Sequence, residues 1–272
     1  MTILILGKTG MLGHIVYEYL KKQNYEVIGT TRKIEDKYFF DANHPERIID
    51  IIKESKPDII INCIGILNKE CEENKSLAIK INSYLPHYLN ELSKKYNFYL
   101  IHISTDCVFE GTIGNYNENS IPDATSFYGK TKMLGEVIND RNVTLRTSIV
   151  GLDNNPNGIG LFQWFMKQEK EIEGYSNVMW TGVTTIELAK QIKITIDNHL
   201  VGLQHVVNNN AISKKDLLEL FKKYFNKDIE IKENNNVICN KTLIRTNLSY
   251  NFNIPTYEEM IKEMKKWENI YR

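Results

Sequence analysis

A tyrosine and a lysine four residues apart, Tyr128 and Lys132, have the spacing of an acid–base pair on a helix. Residues i and i+4 of a helix share a face, so both side chains can point into one cleft. An ammonium close to a phenol stabilises the phenolate and lowers the pKa of the tyrosine from its ordinary value of about 10. A tyrosine tuned in this way is suited to general acid–base chemistry near neutral pH.

The same spacing occurs again at Tyr17 and Lys21, so the pattern alone does not identify a site. Tyr17 is predicted to lie on the surface of the first helix, whereas Tyr128 opens a helix downstream of a strand that ends at Thr105. Ligands of open α/β sheets bind at such strand ends, and a threonine hydroxyl there can hydrogen-bond a carbonyl or alkoxide oxygen. Together the three residues suit carbonyl reduction, in which hydride adds to carbon and Tyr128 protonates the oxygen.

A glycine-spaced loop directly after a short apolar run points to the partner that would supply the hydride. The run at 3–6 has the length of a buried parallel strand, and Gly7, Gly10 and Gly13 follow it three residues apart. Glycines let backbone amides approach a pyrophosphate, and the N-terminus of the next helix favours its negative charge. The spacing differs from the usual GxGxxG, but its position after the strand predicts dinucleotide binding.

The end of the second predicted strand indicates which phosphate the dinucleotide carries. An acidic residue usually binds the adenosine ribose there, but here the strand runs into Thr30, Thr31, Arg32 and Lys33. The two cations could hold a 2′-phosphate and the threonines could add hydroxyl donors. The sequence therefore favours NADP(H) over NAD(H). In the segment Asp41-Ala42, the aspartate could accept a hydrogen bond from the adenine amino group.

Short apolar runs alternate with helical patterns through the first half of the chain. The alternation predicts an α/β fold with a doubly wound parallel sheet. Residues 1–150 are predicted to form the dinucleotide-binding domain, to which 184–207 returns, and 151–272 to form mostly a smaller substrate-binding lobe over the ligand edge of the sheet. The predicted strands are 3–6, 26–28, 58–61, 98–101, 143–145 and 204–207, and the predicted helices lie near 11–23, 45–55, 75–95, 126–139, 159–170, 184–198, 213–225 and 256–269.

Composition argues against several other classes of protein. Lys and Arg together number 34, as do Asp and Glu, so no net charge attracts nucleic acid or a membrane surface. No apolar run approaches the about 20 residues of a membrane-spanning helix. The four cysteines form no CxxC pair and have no metal-ligand spacing with the six histidines. These features predict a protein of the reducing cytoplasm.

Four segments together resemble the extended short-chain dehydrogenase/reductases, and within them the dTDP-4-dehydrorhamnose reductases. They are GKTGMLG at 7–13, ISTDCVFEG at 103–111, FYGKTK at 127–132 and LRTS at 145–148. The resemblance covers most of the chain in order and spacing. It implies a Rossmann domain and NAD(P)H-dependent reduction of the C4 keto group of a dTDP- or UDP-linked 4-keto-6-deoxyhexose, in the synthesis of deoxysugar and polysaccharide precursors. The sequence leaves the nucleotide base, the C2 substituent and a homodimeric state open.

Carried over by motif, the resemblance makes Thr105, Tyr128 and Lys132 the catalytic triad. The cofactor contacts that it implies are Gly7, Thr9, Gly10, Met11, Leu12, Gly13, Cys63, Ile64 and Gly65, besides Tyr128 and Lys132. The substrate contacts that it implies are Thr105, Asp106, Thr147, Ser148 and Trp180.

Two positions depart from the pattern of the reductases. Some rhamnose-pathway reductases carry a glutamate for a bridging magnesium where this chain has Ile15, so no metal site is predicted. Cys107 stands where the reductases commonly have tyrosine, and here the chain resembles the bifunctional nucleotide-sugar epimerase/reductases. A thiol beside a 4-ketosugar could move a proton at C3 or C5, with Lys167 or His102 as the second acid–base. A buried structural cysteine is the alternative interpretation.

A different class of function is also compatible with the motifs. The regulatory subunit of methionine adenosyltransferase resembles these reductases but is a non-catalytic binding partner. That interpretation predicts a damaged triad, whereas Thr105, Tyr128 and Lys132 are all present. The sequence therefore favours an enzyme.

Overall fold

A computed structural model describes residues 1–247 and 250–271. The strands are β1 (Thr2–Leu6), β2 (Glu26–Gly29), β3 (Ile59–Asn62), β4 (Tyr99–Thr105), β5 (Val143–Thr147), β6 (Ile149–Val150), β7 (Glu171–Tyr175), β8 (Val178–Trp180), β9 (Val183–Thr184), β10 (Gly202–His205), β11 (Ile212–Ser213), β12 (Glu230–Asn234) and β13 (Cys239–Asn240). The helices are α1 (Gly13–Lys22), α2 (Ile48–Ser55), α3 (Asn68–Glu73), α4 (Lys75–Ala78), α5 (Leu85–Tyr96), α6 (Phe127–Leu134), α7 (Leu161–Lys167), α8 (Thr185–Asp197), α9 (Lys214–Tyr224) and α10 (Tyr257–Tyr271).

Six strands form one parallel sheet in the order β10-β5-β4-β3-β1-β2. The chain moves outward from β1 to β2 on one side and from β3 through β5 on the other, so the strand order reverses between β1 and β3. Open α/β sheets bind ligands beyond the carboxyl ends of the strands at such a reversal. The predicted doubly wound α/β fold is confirmed.

Helices cover both faces of this sheet because its strands are apolar on both sides. Successive strand residues point to opposite faces. Ile3 and Ile5 lie in the apolar layer that α1 and α8 share, and Leu4 and Leu6 lie in the layer of α2 and α5. A strand buried on both faces has the near-continuous apolar sequence that marked β1.

The segment after β5 builds a smaller lobe from short sheets and helices. Three strands pair in the order β11-β8-β13, β12 pairs with β7, and β6 pairs with β9. Helices α7 and α9 meet through aromatic rings, with Phe162 4.4 Å from Phe225 and 5.2 Å from Phe221 between ring centres. Strand β10 returns to the large sheet beside β5. The exact division into two domains stays a prediction.

The helix predicted near 75–95 is interrupted in the structure. Helix α4 is followed by a π-helical segment, Ile79–Tyr84, before α5 begins. Pro86, which has no backbone N–H, is the second residue of α5 and directly follows the π-helical segment. Within the residues described, no helix has both the length and the apolar content to cross a bilayer.

Candidate active site

The loop between β1 and α1 is closed tightly around its glycines. Gly7 has a φ of +79°, a conformation that L side chains rarely adopt. A Cβ on Gly13 would lie 2.1 Å from the carbonyl oxygen of Gly7, so only glycine allows this approach. A Cβ on Gly10, in contrast, would meet no protein atom closer than 3.5 Å. The loop therefore leaves open space at Gly10 beside the N-terminus of α1, as a pyrophosphate cradle requires.

The end of β3 lies directly against this cradle. A Cβ on Gly7 would be 3.0 Å from the side chain of Ile64, and the amide of Ile64 donates to the Asn62 side chain at 3.1 Å. Burial raises the pKa of the Cys63 thiol to about 12. The segment that includes Cys63, Ile64 and Gly65 thus borders the crevice at the reversal of strand order. The remaining loop residues Thr9, Met11 and Leu12 lie between the three glycines, and Met11 also approaches the lobe at Gly160.

The end of β2 differs from what the sequence suggested. Thr30 and Thr31 are buried and their hydroxyls are already used: Thr30 accepts from the amide of Gly7 at 3.1 Å, and Thr31 donates to Asp36. Both threonines were expected to donate to a 2′-phosphate; their burial, and the use of the Thr31 donor by Asp36, favour the cations for that task. Arg32 and Lys33 are exposed beside them.

Asp41, expected near the adenine, has a local contact as well. Its carboxylate accepts from the amide of Asn43 at 3.0 Å and shapes the turn before α2. Ala42 beside it is buried in the layer of α2 and α5.

The strand that carries Thr105 and the helix that carries Tyr128 are held together by backbone contact. Thr105 ends β4 and pairs in register with Thr147 of β5. Helix α6 begins at Phe127 and is capped by Ser126, whose hydroxyl accepts from the amide of Gly129 at 3.2 Å. A Cβ on Gly129 would lie 2.2 Å from the carbonyl oxygen of Cys107. This close approach places the Tyr128 phenol near the Thr105 hydroxyl, which itself donates to the Asp106 carboxylate at 3.2 Å.

The charges around Tyr128 differ from the prediction. Burial raises the pKa of Tyr128, and the neighbouring Cys107 raises it further. The Thr105 hydroxyl lowers this pKa by a smaller amount. The expected lowering of the Tyr128 pKa by Lys132 is therefore wrong, because burial of the phenol outweighs it. The Lys132 ammonium donates instead to the carbonyl of Ile103 at 2.7 Å. Tyr128 is thus a protonated phenol at neutral pH, which is the form that donates a proton.

Lys132 itself is a buried cation. Burial lowers its pKa to about 8, against the opposing charges of Glu136, Cys71 and Cys63. At neutral pH most of it remains an ammonium. It therefore keeps a positive charge against the carbonyl of Ile103, on the helix that carries Tyr128.

A buried ion pair lies behind the triad. Arg146 of β5 binds Glu136 with two bonds, at 2.8 Å and 2.6 Å, and both side chains are nearly inaccessible to solvent. Glu136 also accepts from the hydroxyl of Ser104 at 2.6 Å, and Arg146 contacts the ring of His205 at 3.1 Å. Because Ser104 precedes Thr105 and Glu136 follows α6, this network fixes the triad's strand relative to its helix.

Asp106 and Cys107 face the smaller lobe. Burial raises the pKa of Asp106, while the charges of Lys214 and Lys241 and hydrogen bonds from Thr105 and Ser148 oppose the change. Burial likewise raises the pKa of Cys107 to about 12, so it is a thiol at neutral pH. Of the expected substrate residues, Asp106 and Ser148 therefore lie together beside Thr105.

Thr147 and Trp180, also expected to contact substrate, are buried. The Thr147 hydroxyl bonds the carbonyl of Ser148 at 3.3 Å. Trp180 is 2% exposed and packs with its ring centre 5.7 Å from that of Tyr257. Its indole N–H has no hydrogen-bond partner among the described residues. The expected contact of both residues with substrate stays a prediction.

Lys214 is a site residue that the sequence did not reveal. It begins α9, and its ammonium lies 4.8 Å from the ring centre of Trp180. Burial lowers its pKa, and the nearby Asp106, Cys107 and Cys239 act in the opposite direction. No local signal distinguishes it from Lys215, which pairs with Glu233 on the surface at 2.9 Å. Lys214 reaches Asp106 and Cys107 because the lobe packs against the end of β4.

The two candidates for a second acid–base are placed elsewhere. His102 is completely buried in β4, where it contacts the Asn62 amide at 3.2 Å. Burial keeps its pKa well below the ordinary value, and the charge of Lys132 contributes. His102 is therefore a neutral core residue, and its proposed role was wrong. Lys167 donates to the carbonyl of Pro156 at 2.5 Å and lines a cleft of about 570 Å³ with Asn68 and Trp164.

Metal binding was not predicted from the sequence. Within the described part of the chain, no three or more His, Cys, Asp or Glu side chains cluster as metal ligands. Ile15 lies in the apolar layer between α1 and the sheet. The expected absence of a metal site stays a prediction.

Comparison with known proteins identifies the family of this chain. The RmlD substrate binding domain family matches residues 1–242. The chain is 28% identical over 241 residues to a probable low-salt glycan biosynthesis reductase of Haloferax volcanii, covering 79% of this chain and 77% of that protein. A crystal structure of a dTDP-4-dehydrorhamnose reductase from Clostridium acetobutylicum is similar with a TM-score of 0.85 and 25% identity, covering 99% of this chain and 100% of that one.

The regulatory class also has a relative with detectable similarity. The methionine adenosyltransferase 2 subunit beta of Xenopus laevis is 33% identical over 136 residues, which are 49% of this chain and 41% of that protein. The matched region therefore covers less than half the length of that relative. The likeness to the Haloferax reductase and the Clostridium structure extends much further along the chain.

Proposed function

Because the chain belongs to the RmlD substrate binding domain family, we propose that it is an NADPH-dependent reductase of nucleotide sugars. The reaction is reduction of the C4 keto group of a dTDP- or UDP-linked 4-keto-6-deoxyhexose, in the synthesis of deoxysugar and polysaccharide precursors. The observation that carries the proposal is the close packing of the first turn of α6 against the end of β4, which places Tyr128 near Thr105 with the Lys132 ammonium bound to the Ile103 carbonyl of that strand.

The chain's own residues supply the proton and the binding energy, and the nicotinamide supplies the hydride when bound. Gly7, Gly10 and Gly13 leave room for the pyrophosphate, and Arg32 and Lys33 are the cations available to a 2′-phosphate. Thr105 orients the keto oxygen by a hydrogen bond. Tyr128 donates its proton to that oxygen as it becomes an alkoxide. Lys132 then stabilises the phenolate by its positive charge.

The direct test is cofactor oxidation with a small panel of dTDP- and UDP-linked 4-keto-6-deoxysugars. We expect NADPH to be oxidised only when one or more of these ketosugars is present. Binding of the cofactor without turnover of any ketosugar would contradict it and would favour the regulatory class. A measurement of binding to a methionine adenosyltransferase catalytic subunit would then follow.

Replacement of Gly10 by alanine tests the cradle separately. The added methyl group meets no protein atom closer than 3.5 Å, so the fold is expected to tolerate it. The methyl would occupy phosphate space, and we expect about tenfold weaker NADPH binding by fluorescence titration, or ~1.4 kcal/mol. Gly13→Ala is the contrasting variant, because its methyl would overlap the carbonyl of Gly7 and destabilise the fold. Wild-type NADPH affinity in Gly10→Ala would contradict the assigned cradle.

Lys214 is the residue we propose for the anionic part of the substrate. Its ammonium and that of Lys241 face Asp106 and Cys107 from the lobe, and a nucleotide sugar carries a diphosphate. Lys214→Met is expected to raise KM for the ketosugar about tenfold, with the affinity for NADPH unchanged. The matched control is Lys215→Met, which removes a neighbouring surface cation of the same helix. An equal effect of both substitutions on KM would rule out a specific contribution of Lys214.

Epimerisation at C3 or C5 before reduction is a second candidate activity, which the position of Cys107 supports. The thiol lies close enough to Tyr128 and Lys214 to influence the pKa of each. With its raised pKa it would return a proton to carbon more readily than remove one. Solvent deuterium at C3 or C5 of the product would support this activity. Cys107→Ser should then lose the exchange and still reduce a ketosugar that is already epimerised.

A further inference from the structure

A carboxylate reaches the end of β2 from a loop that follows it. Asp36 accepts a hydrogen bond from the Thr31 hydroxyl at 2.5 Å. The loop is closed by two more bonds: the amide of Lys33 donates to the same hydroxyl at 3.1 Å, and the amide of Asp36 donates to the carbonyl of Lys33 at 3.0 Å. The position of the Asp36 carboxylate is therefore set by three contacts within six residues.

This carboxylate is attached to the cradle through Thr30. The amide of Gly7 donates to the Thr30 hydroxyl, and the amide of Lys8 donates to the Thr30 carbonyl, both at 3.1 Å. The residue after Thr30 therefore lies where dinucleotide-binding folds place the acid that holds the adenosine ribose. Here that residue is Thr31, and its hydroxyl holds Asp36.

The carboxylate of Asp36 has no ion-pair partner in the described part of the chain. Among the residues that the structure describes, no Lys or Arg lies within ion-pair distance of it, and the adjacent Lys37 pairs with Glu54 at 2.9 Å. Arg32 and Lys33 are exposed on the same loop. One loop therefore presents both an acceptor suited to a ribose hydroxyl and two cations suited to a phosphate.

We propose that Asp36, held by Thr31, takes the place of the missing carboxylate of β2 and discriminates against a 2′-phosphate. A carboxylate accepts a hydrogen bond from a 2′-hydroxyl and repels a phosphate, so Asp36 favours NADH while Arg32 and Lys33 favour NADPH. The balance between these charges sets the ratio of the two affinities. This inference rests on the proposed function, because it assumes a nicotinamide dinucleotide in the cradle.

The experiment is a fluorescence titration of the full chain with NADPH and with NADH, which needs no turnover. Asp36→Asn keeps the shape of the side chain and an acceptor for Thr31, so the loop is expected to stay folded. We expect NADPH to bind about tenfold more tightly and NADH several-fold more weakly in this variant. Arg32→Gln should move the ratio of affinities in the opposite direction.

The control is Glu35→Gln, which removes the same unit of charge from an exposed neighbour, whereas the bonds of the Thr31 hydroxyl within the described residues go to Asp36 and Lys33. A shift in Asp36→Asn no larger than that of Glu35→Gln, or a shift toward NADH, would overturn the inference. If both dinucleotides bind and ketosugars are reduced, that result leaves the proposed function standing. If neither dinucleotide binds to the wild-type chain, the proposed function and this inference fail together.

Discussion

Tyr128→Phe is expected to lower kcat for ketosugar reduction by about 10²–10⁴-fold, the usual contribution of a positioned general acid. The substitution removes only the hydroxyl near Thr105, so the ring is expected to keep its place on α6. The affinity for NADPH should remain close to that of the wild type, because the cradle is built by the loop after β1. The measurements are steady-state kinetics and a cofactor titration on the same preparation.

The chain offers its own control for this variant. Tyr17 has a lysine at the same spacing, but its ring lies on α1 with Lys8 and Lys21 above it, at 5.3 Å and 5.9 Å. Tyr17→Phe should leave kcat unchanged. Comparable losses in both variants would mean that the effect is structural, and would contradict the assignment of Tyr128 as the proton donor.

Arg146→Met is expected to lower the free energy of unfolding by about 3–5 kcal/mol. It leaves the Glu136 carboxylate buried without its ion-pair partner, and among the described residues the Ser104 hydroxyl and the more distant charge of Lys132 compensate it only in part. Denaturant unfolding measures the effect. Lys232→Met is the control, since it breaks an exposed ion pair with Glu171 and should change stability little.

A double variant separates the loss of the ion pair from the cost of leaving the Glu136 carboxylate buried without a partner. Replacing Glu136 with leucine in the Arg146→Met background removes both charges, and much of the lost stability should return. If the single variant is as stable as the wild type, Glu136 has found another partner. The network would then not be what fixes β4 against α6.

The sequence was informative where structure depends on neighbours along the chain. The apolar run of β1 and the glycines after it predicted a strand, a tight loop and a helix, because period and turn chemistry are local properties. The same holds for the parallel sheet, whose alternation of strands and helices is confirmed. The capping of α6 by Ser126 is likewise a local signal.

The features that sequence reasoning missed depend on contacts between distant segments. Lys214 is an ordinary helix-start lysine until the lobe brings it to Asp106, and Asp36 is an ordinary loop carboxylate until Thr31 binds it. The direction in which the Tyr128 pKa is shifted was predicted wrongly for a related reason. Spacing on a helix predicts which groups share a face, but the degree of burial decides whether desolvation or charge dominates.

The most direct test of the account is transfer of a label from the cofactor to the sugar. The chain is given NADPH deuterated at the transferring position of the nicotinamide, together with the ketosugar that turns over fastest, and the product is examined by NMR. We expect deuterium at C4 of the hexose, with the transfer slowed about 10²–10⁴-fold in Tyr128→Phe and unchanged in Tyr17→Phe. Deuterium at another carbon, or no transfer although the cofactor is bound, would contradict it.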